Sequence, residues 1–296
     1  MKKAKQSHLN EDEALKKRSQ ARDVWRRFRS NKLAMAGLMI VILVVLSAVF
    51  ANFLAPYNYS AQNYGERLMM PCLAHPFGTD NFGRDLLSRV IYGGRISLLV
   101  SLLGLLISVG IGSVLGATAG YFGGAYETVV MRIMDIIMAI PGTLMAVSVS
   151  ALLGTGIVNT AIAVSVGGIA PSARMLRATV LTIRGQEYVE AARARGSGHF
   201  RIIIRQILPN TLSPLIVDST LRIGTNIMMI SGLSFIGLGV QPPTPEWGSI
   251  LNTGREFITT FWPMITFPGL AIMLTMFGFN VMGDGLRDAL DPKLKH

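Results

Sequence analysis

The stretch Ile96–Tyr126, ISLLVSLLGLLISVGIGSVLGATAGYFGGAY, runs for 31 residues without a charged side chain. A helix needs about 20 apolar residues to cross the hydrocarbon core of a bilayer, so this stretch can supply a complete span and a glycine-rich exit. The rest of the chain has the same character, because 50% of its 296 residues are hydrophobic and only 15% are charged. Soluble domains carry about 25% charged residues. The sequence therefore predicts an all-α, polytopic membrane protein.

Five further apolar stretches bring the predicted number of transmembrane helices to six. The six are Leu33–Leu54, Ile96–Tyr126, Ile136–Leu153, Thr155–Ala173, Leu212–Val240 and Phe257–Gly283. The first stretch could instead be a signal peptide, but it is long for one and lacks a small-x-small cleavage site. The predicted organisation is a basic tail (1–32), a first span (33–54), an external loop (55–95), a membrane core (96–283) with a cytoplasmic loop (174–211), and a second tail (284–296).

The distribution of Lys and Arg predicts that the N- and C-termini are both cytoplasmic. With the N-terminus inside, 22 of the 28 basic residues fall on the cytoplasmic side and five on the external side, while Arg222 lies within the fifth span. Cytoplasmic loops of membrane proteins carry an excess of basic residues, which supports this orientation. The net charge of +11 is concentrated in two patches separated by uncharged spans, so we expect no nucleic-acid-binding face.

The basic N-terminal tail contains apolar side chains that suggest contact with membrane lipid. Within Asp12–Arg29, the side chains of Val24, Trp25 and Phe28 alternate with many basic residues. This pattern favours an amphipathic helix lying on the membrane surface. A solvated basic tail is an equally good interpretation for the first ten residues.

The sequence contains no recognisable motif for ATP binding, for a proton relay or for catalysis. Every lysine lies at or before Lys32 or at or after Lys293, so no Gly-x-x-x-x-Gly-Lys phosphate-binding loop exists between them. All four histidines lie outside the predicted spans, which argues against a proton relay. The single cysteine, Cys72, excludes an intrachain disulfide. We expect no catalytic residue, metal site or cofactor, and hence a pathway across the membrane that is driven by a partner. A channel, an ion-coupled carrier and a membrane-embedded enzyme are the alternatives.

The longest cytoplasmic loop has the features of a docking element. Glu187–Arg195 is rich in helix formers, and Gly196 suits the left-handed position that ends a helix. A second helix is predicted from His199 to Leu208, ending at Pro209. Two adjacent alanines in the first helix, at positions 191 and 192, would let a groove on another protein approach its backbone closely.

The same loop resembles the "EAA" loop of ABC-importer permeases. The matching residues are Glu190, Ala191, Ala192, Gly196, Ile207, Leu208 and Pro209, while Gln206 stands where the general pattern has isoleucine. Three further blocks resemble the dipeptide/oligopeptide/nickel permease family, in the order and spacing of its C-type subunit. They are Gly78-Thr79-Asp80 with Gly83-Arg84-Asp85, the block QPPTPEWG at 241–248, and GDGLRDALDP at 283–292.

This resemblance implies the architecture of a type I ABC importer permease in a bacterial inner membrane. Such a subunit pairs with a second, B-type permease, and two cytoplasmic ATPase subunits and an external substrate-binding protein complete the system. The resemblance makes Glu190–Gly196 the coupling helix that docks into the ATPase. The implied substrates are dipeptides, oligopeptides, glutathione or nickel complexes, and recognition belongs largely to the binding protein.

Two further groups of residues are candidates for roles within the membrane. The fifth span contains small polar and adaptable apolar side chains that could line a pathway: Asn226, Met228, Met229, Ser231 and Ser234. Ordinary helix packing explains any one of them nearly as well. Gly112, Gly116 and Gly120 recur every four residues, which allows another helix to approach closely. Asp218 and Arg222 are expected to pair, since they are four residues apart on a helix.

Overall fold

The computed structural model describes residues 22–290, and the regular structure in this range is helical apart from one isolated bridge between Thr79 and Asp85. In chain order the helices are α1 (22–30), α2 (Lys32–Val49), α3 (Ala51–Leu54), α4 (Leu86–Phe122), α5 (Gly124–Ala139), α6 (Gly142–Leu153), α7 (Ile157–Arg184), α8 (Glu187–Ala194), α9 (His199–Ile202), α10 (Leu208–Phe235), α11 (Trp247–Gly254) and α12 (Pro263–Leu290). Short 3₁₀ turns lie at Tyr64–Glu66 and Arg255–Phe257, and a π-helical segment lies at Ile203–Ile207. The first part of the predicted amphipathic helix and the last six residues of the chain lie outside the described range.

Three single helices, α2, α4 and α12, are long and apolar enough to cross a bilayer. The pair α5 and α6 makes a fourth candidate if it is counted as one span. Helices α7 and α10 are each 28 residues long, but both contain charged side chains, among them Arg174 in α7 and Asp218 in α10. Length and composition of the described helices thus support three or four spans, where the sequence predicted six.

The third predicted span, Ile136–Leu153, is not one straight helix. Helices α5 and α6 are bent by 88° relative to each other at the short break between them. Pro141 accounts for the break, since proline lacks an N–H group and pushes the preceding residue out of the helical conformation. Ile140 accordingly has φ −92° and ψ 127°. The sequence predicted one span over these residues, and the structure divides them between two helices that meet near Pro141.

Helix α4 is longer than the predicted second span and begins ten residues earlier. The carboxylate of Asp85 caps it by accepting a hydrogen bond from the Ser88 N–H at 2.7 Å, an interaction that satisfies an N–H group without an intrahelical partner. The helix ends at Gly123, which has φ +71°. At 37 residues, α4 is about 55 Å long.

The three glycines predicted to pack against another helix lie on the face of α4 that contacts α7. A Cβ atom at Gly116 would lie 2.3 Å from the carbonyl oxygen of Ala173. A Cβ atom at Gly112 would lie 2.6 Å from the Cβ of Ser172, and one at Gly120 would lie 3.0 Å from the carbonyl oxygen of Arg177. Only glycine permits this separation of the two backbones.

Helix α1, the described part of the N-terminal region, packs partly against other helices of the chain. Phe28 of α1 is buried beside Ala34 and Ala289, while Val24 packs at the edge of the same cluster. Trp25 remains half exposed. The apolar side of α1 therefore packs partly against the end of α12, while Trp25 keeps the exposure that the predicted contact with the membrane surface requires.

The segment between α3 and α4 is ordered by buried charged groups. Asp80 accepts hydrogen bonds from the backbone N–H groups of Phe82 and Arg84, and its other carboxylate oxygen lies 2.6 Å from the Nε of Arg84. Arg89 of α4 lies 3.5 Å from the same oxygen. Asp80, Arg84 and Arg89 are each at most 2% exposed. These residues thus form a turn held by local hydrogen bonds, and Arg89 joins the turn to the start of α4.

Candidate coupling segment and translocation surface

The predicted coupling helix is present as α8, and it has one buried face and one exposed face. Val189 and Ala192 are buried in the chain's own apolar cluster, together with Tyr121 and Leu176. Ala191 lies on the exposed face. The structure therefore corrects the expected patch of two exposed alanines: the 100° step between successive helical residues turns Ala192 inward.

Glu190 lies beside Ala191 on the exposed face of α8, and the charges of this helix follow its dipole. Glu187 and Glu190 occupy the first turn, and Arg193 occupies the last. Acidic groups are favourable near the positive N-terminal end of a helix and basic groups near its C-terminal end. This arrangement stabilises an eight-residue helix that would be marginal in isolation.

Gly196 ends the coupling helix in the left-handed conformation expected from the sequence, with φ +75°. The Ser197 N–H donates to the carbonyl oxygen of Ala192 at 3.1 Å, and the Gly196 N–H donates to that of Arg193 at 2.8 Å. These two bonds define a Schellman motif. Among the described atoms, a Cβ at Gly196 would meet nothing within 4 Å. Glycine is needed here for its backbone conformation, since the site itself has room for a side chain.

The second predicted helix, His199–Leu208, differs from the structure. Helix α9 covers its first turn, a π-helical segment follows at Ile203–Ile207, and the chain then continues without interruption into α10. Pro209 lies in the first turn of α10 and does not end a helix. The Leu208 N–H donates to the carbonyl oxygen of Ile203, so the hydrogen bonds immediately before Pro209 have the wider π-helical spacing.

The last three residues of the match to the EAA loop, Ile207, Leu208 and Pro209, occupy different environments. Ile207 is fully buried in the same cluster as Val189, Leu208 is partly buried against it, and Pro209 is exposed. Phe200 and Ile204, in contrast, are 76% and 58% exposed. The coupling segment, defined here as residues 187–207, is thus attached to α4 and α7 through one side and presents apolar and charged groups on the other.

The five candidate pore residues on α10 lie on different faces. Met228 is 60% exposed, Met229 packs partly against a cluster that includes Ile230, and Asn226 donates to the Ser101 carbonyl oxygen at 3.4 Å. Ser231 and Ser234 are buried within the chain, 5% and 1% exposed. Of the five residues, Met228 alone has an exposed side chain, and its role in lining a pathway stays a prediction.

Asp218 and Arg222 of α10 form the predicted pair. The Arg222 Nε lies 2.5 Å from the Asp218 Oδ2, and both side chains are partly buried. Pairing at this spacing reduces the cost of holding both charges in an apolar helix.

Glu246 is a buried polar residue whose role the sequence analysis did not identify. It is fully buried, its Oε1 lies 3.0 Å from the hydroxyl of Ser97 and 3.5 Å from that of Ser231, and its Oε2 accepts a hydrogen bond from the Ser249 N–H at 2.9 Å. Burial raises the pKa of this carboxyl group above its usual value. The group caps α11 and joins it to α4 and α10. Its only sequence signal is an acidic residue directly before Trp247 in a proline-rich block.

Two family models match the chain. One, described as "Binding-protein-dependent transport system inner membrane component", matches residues 112–296, which is more than half of the sequence. The other, described as "N-terminal TM domain of oligopeptide transport permease C", matches residues 19–74.

Curated relatives and a solved structure agree with these matches. The glutathione transport system permease protein GsiD of Escherichia coli O6:K15:H31 is 44% identical over 276 residues, which cover 92% of this chain and 90% of that protein. The dipeptide transport system permease protein DppC of Alkalihalophilus pseudofirmus is 42% identical over 274 residues, covering 93% and 90%. A chain of the MetNI methionine ABC transporter, solved in inward-facing conformations, has a TM-score of 0.55 at 19% identity and covers 69% of this chain and 97% of that one.

At 19% identity the likeness to MetNI shows the fold alone, whereas the family models and the two relatives show the family. The alternatives of a motorless channel or an ion-coupled carrier receive no support from any of these matches. The predicted resemblance to ABC-importer permeases is confirmed, and the chain belongs to the family of inner membrane components of binding-protein-dependent transport systems.

Proposed function

We propose that this chain is the C-type permease subunit of a bacterial importer and forms half of a pathway for glutathione, dipeptides or related small solutes. A B-type permease supplies the other half, two cytoplasmic ATPase subunits supply the energy, and an external substrate-binding protein delivers the solute. The observation that carries the proposal is the two-faced coupling segment, whose buried side is attached to α4 and α7 and whose exposed side includes Glu190, Ala191 and Phe200.

Six spans with both termini in the cytoplasm fit this role. This orientation gives 22 basic residues on the cytoplasmic side and five on the external side, which is the bias expected of a membrane protein. It places the coupling segment on the cytoplasmic side and the ordered loop before α4 on the external side. Pairing of Asp218 with Arg222 supports the inclusion of α10 among the spans, because paired charges are tolerated in a membrane helix.

The proposed substrates come from the relatives, whose names specify glutathione and dipeptide transport. Both solutes are small, polar and built from amino acids joined by amide bonds. The exposed Met228 on α10 offers a flexible side chain that can adapt to solutes of different shape.

Reconstitution of the complete importer tests the proposal. The chain is co-expressed with its genomic neighbours, and uptake of radiolabelled glutathione and of a radiolabelled alanyl dipeptide is measured in proteoliposomes with ATP inside and loaded binding protein outside. We expect ATP-dependent uptake of one of the two solutes. Uptake that proceeds without any ATPase subunit would contradict the proposal.

Variants of the coupling segment test its docking role. Gly196→Val places a β-branched residue at φ +75°, at a cost of about 1 kcal/mol or more, and Glu190→Lys reverses a charge on the exposed face. We expect both to insert normally, to lose uptake and either to release the ATPase subunits or to leave their hydrolysis insensitive to loaded binding protein. Gly185→Ala is the matched control, because this nearby glycine has φ −87° and no described atom within 4 Å of an added Cβ. Wild-type uptake by both variants would refute the coupling role.

A further inference from the structure

The buried end of α4 contacts both halves of the coupling segment through one tyrosine. Tyr121 is 3% exposed and lies in the last turn of α4. Its hydroxyl is 2.9 Å from the Nδ1 of His199, the first residue of α9. The guanidinium of Arg193, in the last turn of α8, lies 5.0 Å from the centre of the same ring. A cation at this distance from an aromatic face is attracted to it.

These two contacts lie on opposite sides of the turn at Gly196. Arg193 precedes the turn and His199 follows it, so the ring of Tyr121 holds the two short helices at a defined angle. The backbone carbonyl of Tyr121 also accepts a hydrogen bond from Arg184, at the end of α7, at 3.2 Å. Helices α7, α8 and α9 therefore all contact this one residue of α4.

The other end of α4 is built into the ordered external loop. Asp85, which caps the helix, lies 2.9 Å from the Nδ1 of His75, and the carbonyl of His75 accepts a hydrogen bond from the Cys72 N–H at 2.9 Å. Helix α4, which begins directly after Asp85 and contains Tyr121 in its last turn, is uninterrupted over 37 residues. A displacement applied at Tyr121 can therefore reach the external loop through one rigid element, which is the kind of contiguous connection that coupling between distant sites requires.

We infer that Tyr121 is the positioning residue through which the coupling segment acts on α4, so that ATP-driven movement of the segment is transmitted to the external loop. This inference rests on the proposed function, because it needs a coupling segment that docks on an ATPase. Tyr121 touches neither substrate nor nucleotide in this role. Its hydroxyl sets the angle between α8 and α9, and its ring joins both to α4.

The lone cysteine provides a direct readout in the assembled importer. An environment-sensitive fluorophore is attached to the exposed Cys72 in a complex whose other subunits lack cysteine, and the change on adding ATP and vanadate is recorded in nanodiscs. Tyr121→Phe removes only the hydroxyl, and the exposed His199 can bond water instead, so the variant is expected to fold. Tyr126→Phe is the matched control, since its hydroxyl bonds Thr118 at 3.0 Å.

We expect Tyr121→Phe to keep wild-type assembly and basal ATP hydrolysis, and to reduce the Cys72 signal and the solute transported per ATP by about fivefold, the low end of typical coupling energies. His199→Leu should reproduce this loss and add nothing in the Tyr121→Phe background. His199→Asn should restore most of the signal, because its amide oxygen can take the place of Nδ1. Tyr126→Phe should behave as wild type.

Three outcomes would overturn the inference. The first is a wild-type Cys72 signal in Tyr121→Phe, and the second is additive loss in the double variant. The third is an equal fall in hydrolysis and transport at constant transport per ATP, which would indicate a merely structural role. If Gly196→Val uncouples the importer while Tyr121→Phe does not, only this inference fails. If neither has an effect, the proposed docking role fails as well.

Discussion

Replacement of Gly116 by alanine tests whether the close contact of α4 and α7 is needed for stability. The added Cβ would lie 2.3 Å from the carbonyl oxygen of Ala173 and 3.0 Å from its carbonyl carbon and Cα. All three are backbone atoms, so no side-chain rotation relieves the clash. The two helices must separate locally by roughly 1 Å, and overpacking of this kind costs about 1–3 kcal/mol.

Gly110→Ala is the matched control on the same helix. Among the described atoms, a Cβ at Gly110 would meet nothing within 4 Å. Alanine is favoured over glycine in a helix interior by about 1 kcal/mol, so this variant should be neutral or slightly stabilising. The contrast between the two positions isolates the packing effect from the change in helix propensity.

Thermal unfolding of the purified protein in one detergent measures the difference. We expect Gly116→Ala to unfold at a lower temperature than wild type, and Gly110→Ala to unfold at the same temperature or higher. A Gly116→Val variant should be worse than alanine, because two further methyl groups point into the same contact. Equal unfolding temperatures for Gly116→Ala and Gly110→Ala would refute the close-packing argument.

Two further predictions concern other parts of the molecule. Burial raises the pKa of Glu246 above the ordinary value of a glutamate carboxyl group, so the folded protein binds this proton more tightly than the unfolded chain. Stability should therefore fall as the pH rises from the ordinary pKa toward the raised one. Glu246→Gln should remove this part of the pH dependence of the unfolding temperature, and an unchanged profile would show that the carboxyl does not cause it. Cys72 is exposed in the loop that the charge distribution predicts to be external. A membrane-impermeant thiol reagent should therefore label it in intact cells whose outer membrane, if one exists, is permeabilised. Labelling only after lysis of the inner membrane would contradict the orientation.

In the coupling segment, local sequence patterns predicted the first helix and its turn but not the structure that follows. The helix over 187–195 and the left-handed Gly196 were predictable, because helix propensity and the Schellman turn depend on a few neighbouring residues. The course of the chain beyond Ile202 was not predictable from the same rules. A proline usually marks a helix boundary, but Pro209 is accommodated in the first turn of α10 after a π-helical segment. That outcome depends on burial of Ile203 and Ile207 against α4 and α7.

In the long helices, too, some features were predictable from the sequence and others were not. Apolar run length located most of the long helices, but it did not predict the 88° bend between α5 and α6 near Pro141. The sequence also did not show which side chains of α10 are enclosed. Met228 is exposed whereas Ser231 and Ser234 are buried, although all three lie within seven residues of one another. Ser231 contacts Glu246, which lies 15 residues further along the chain and belongs to another element.

The sequence by itself determined that the chain is helical and suited to a membrane, and that it carries a docking segment resembling that of an importer permease. Those properties follow from composition, run length and motifs within short windows, which need no knowledge of distant neighbours. Only the tertiary structure decided that Ala192 faces inward, that Glu246 joins α11 to α4 and α10, and that Tyr121 contacts both Arg193 and His199. These contacts join residues up to 149 positions apart, and the pairing of such residues is set by how the helices pack rather than by any local pattern.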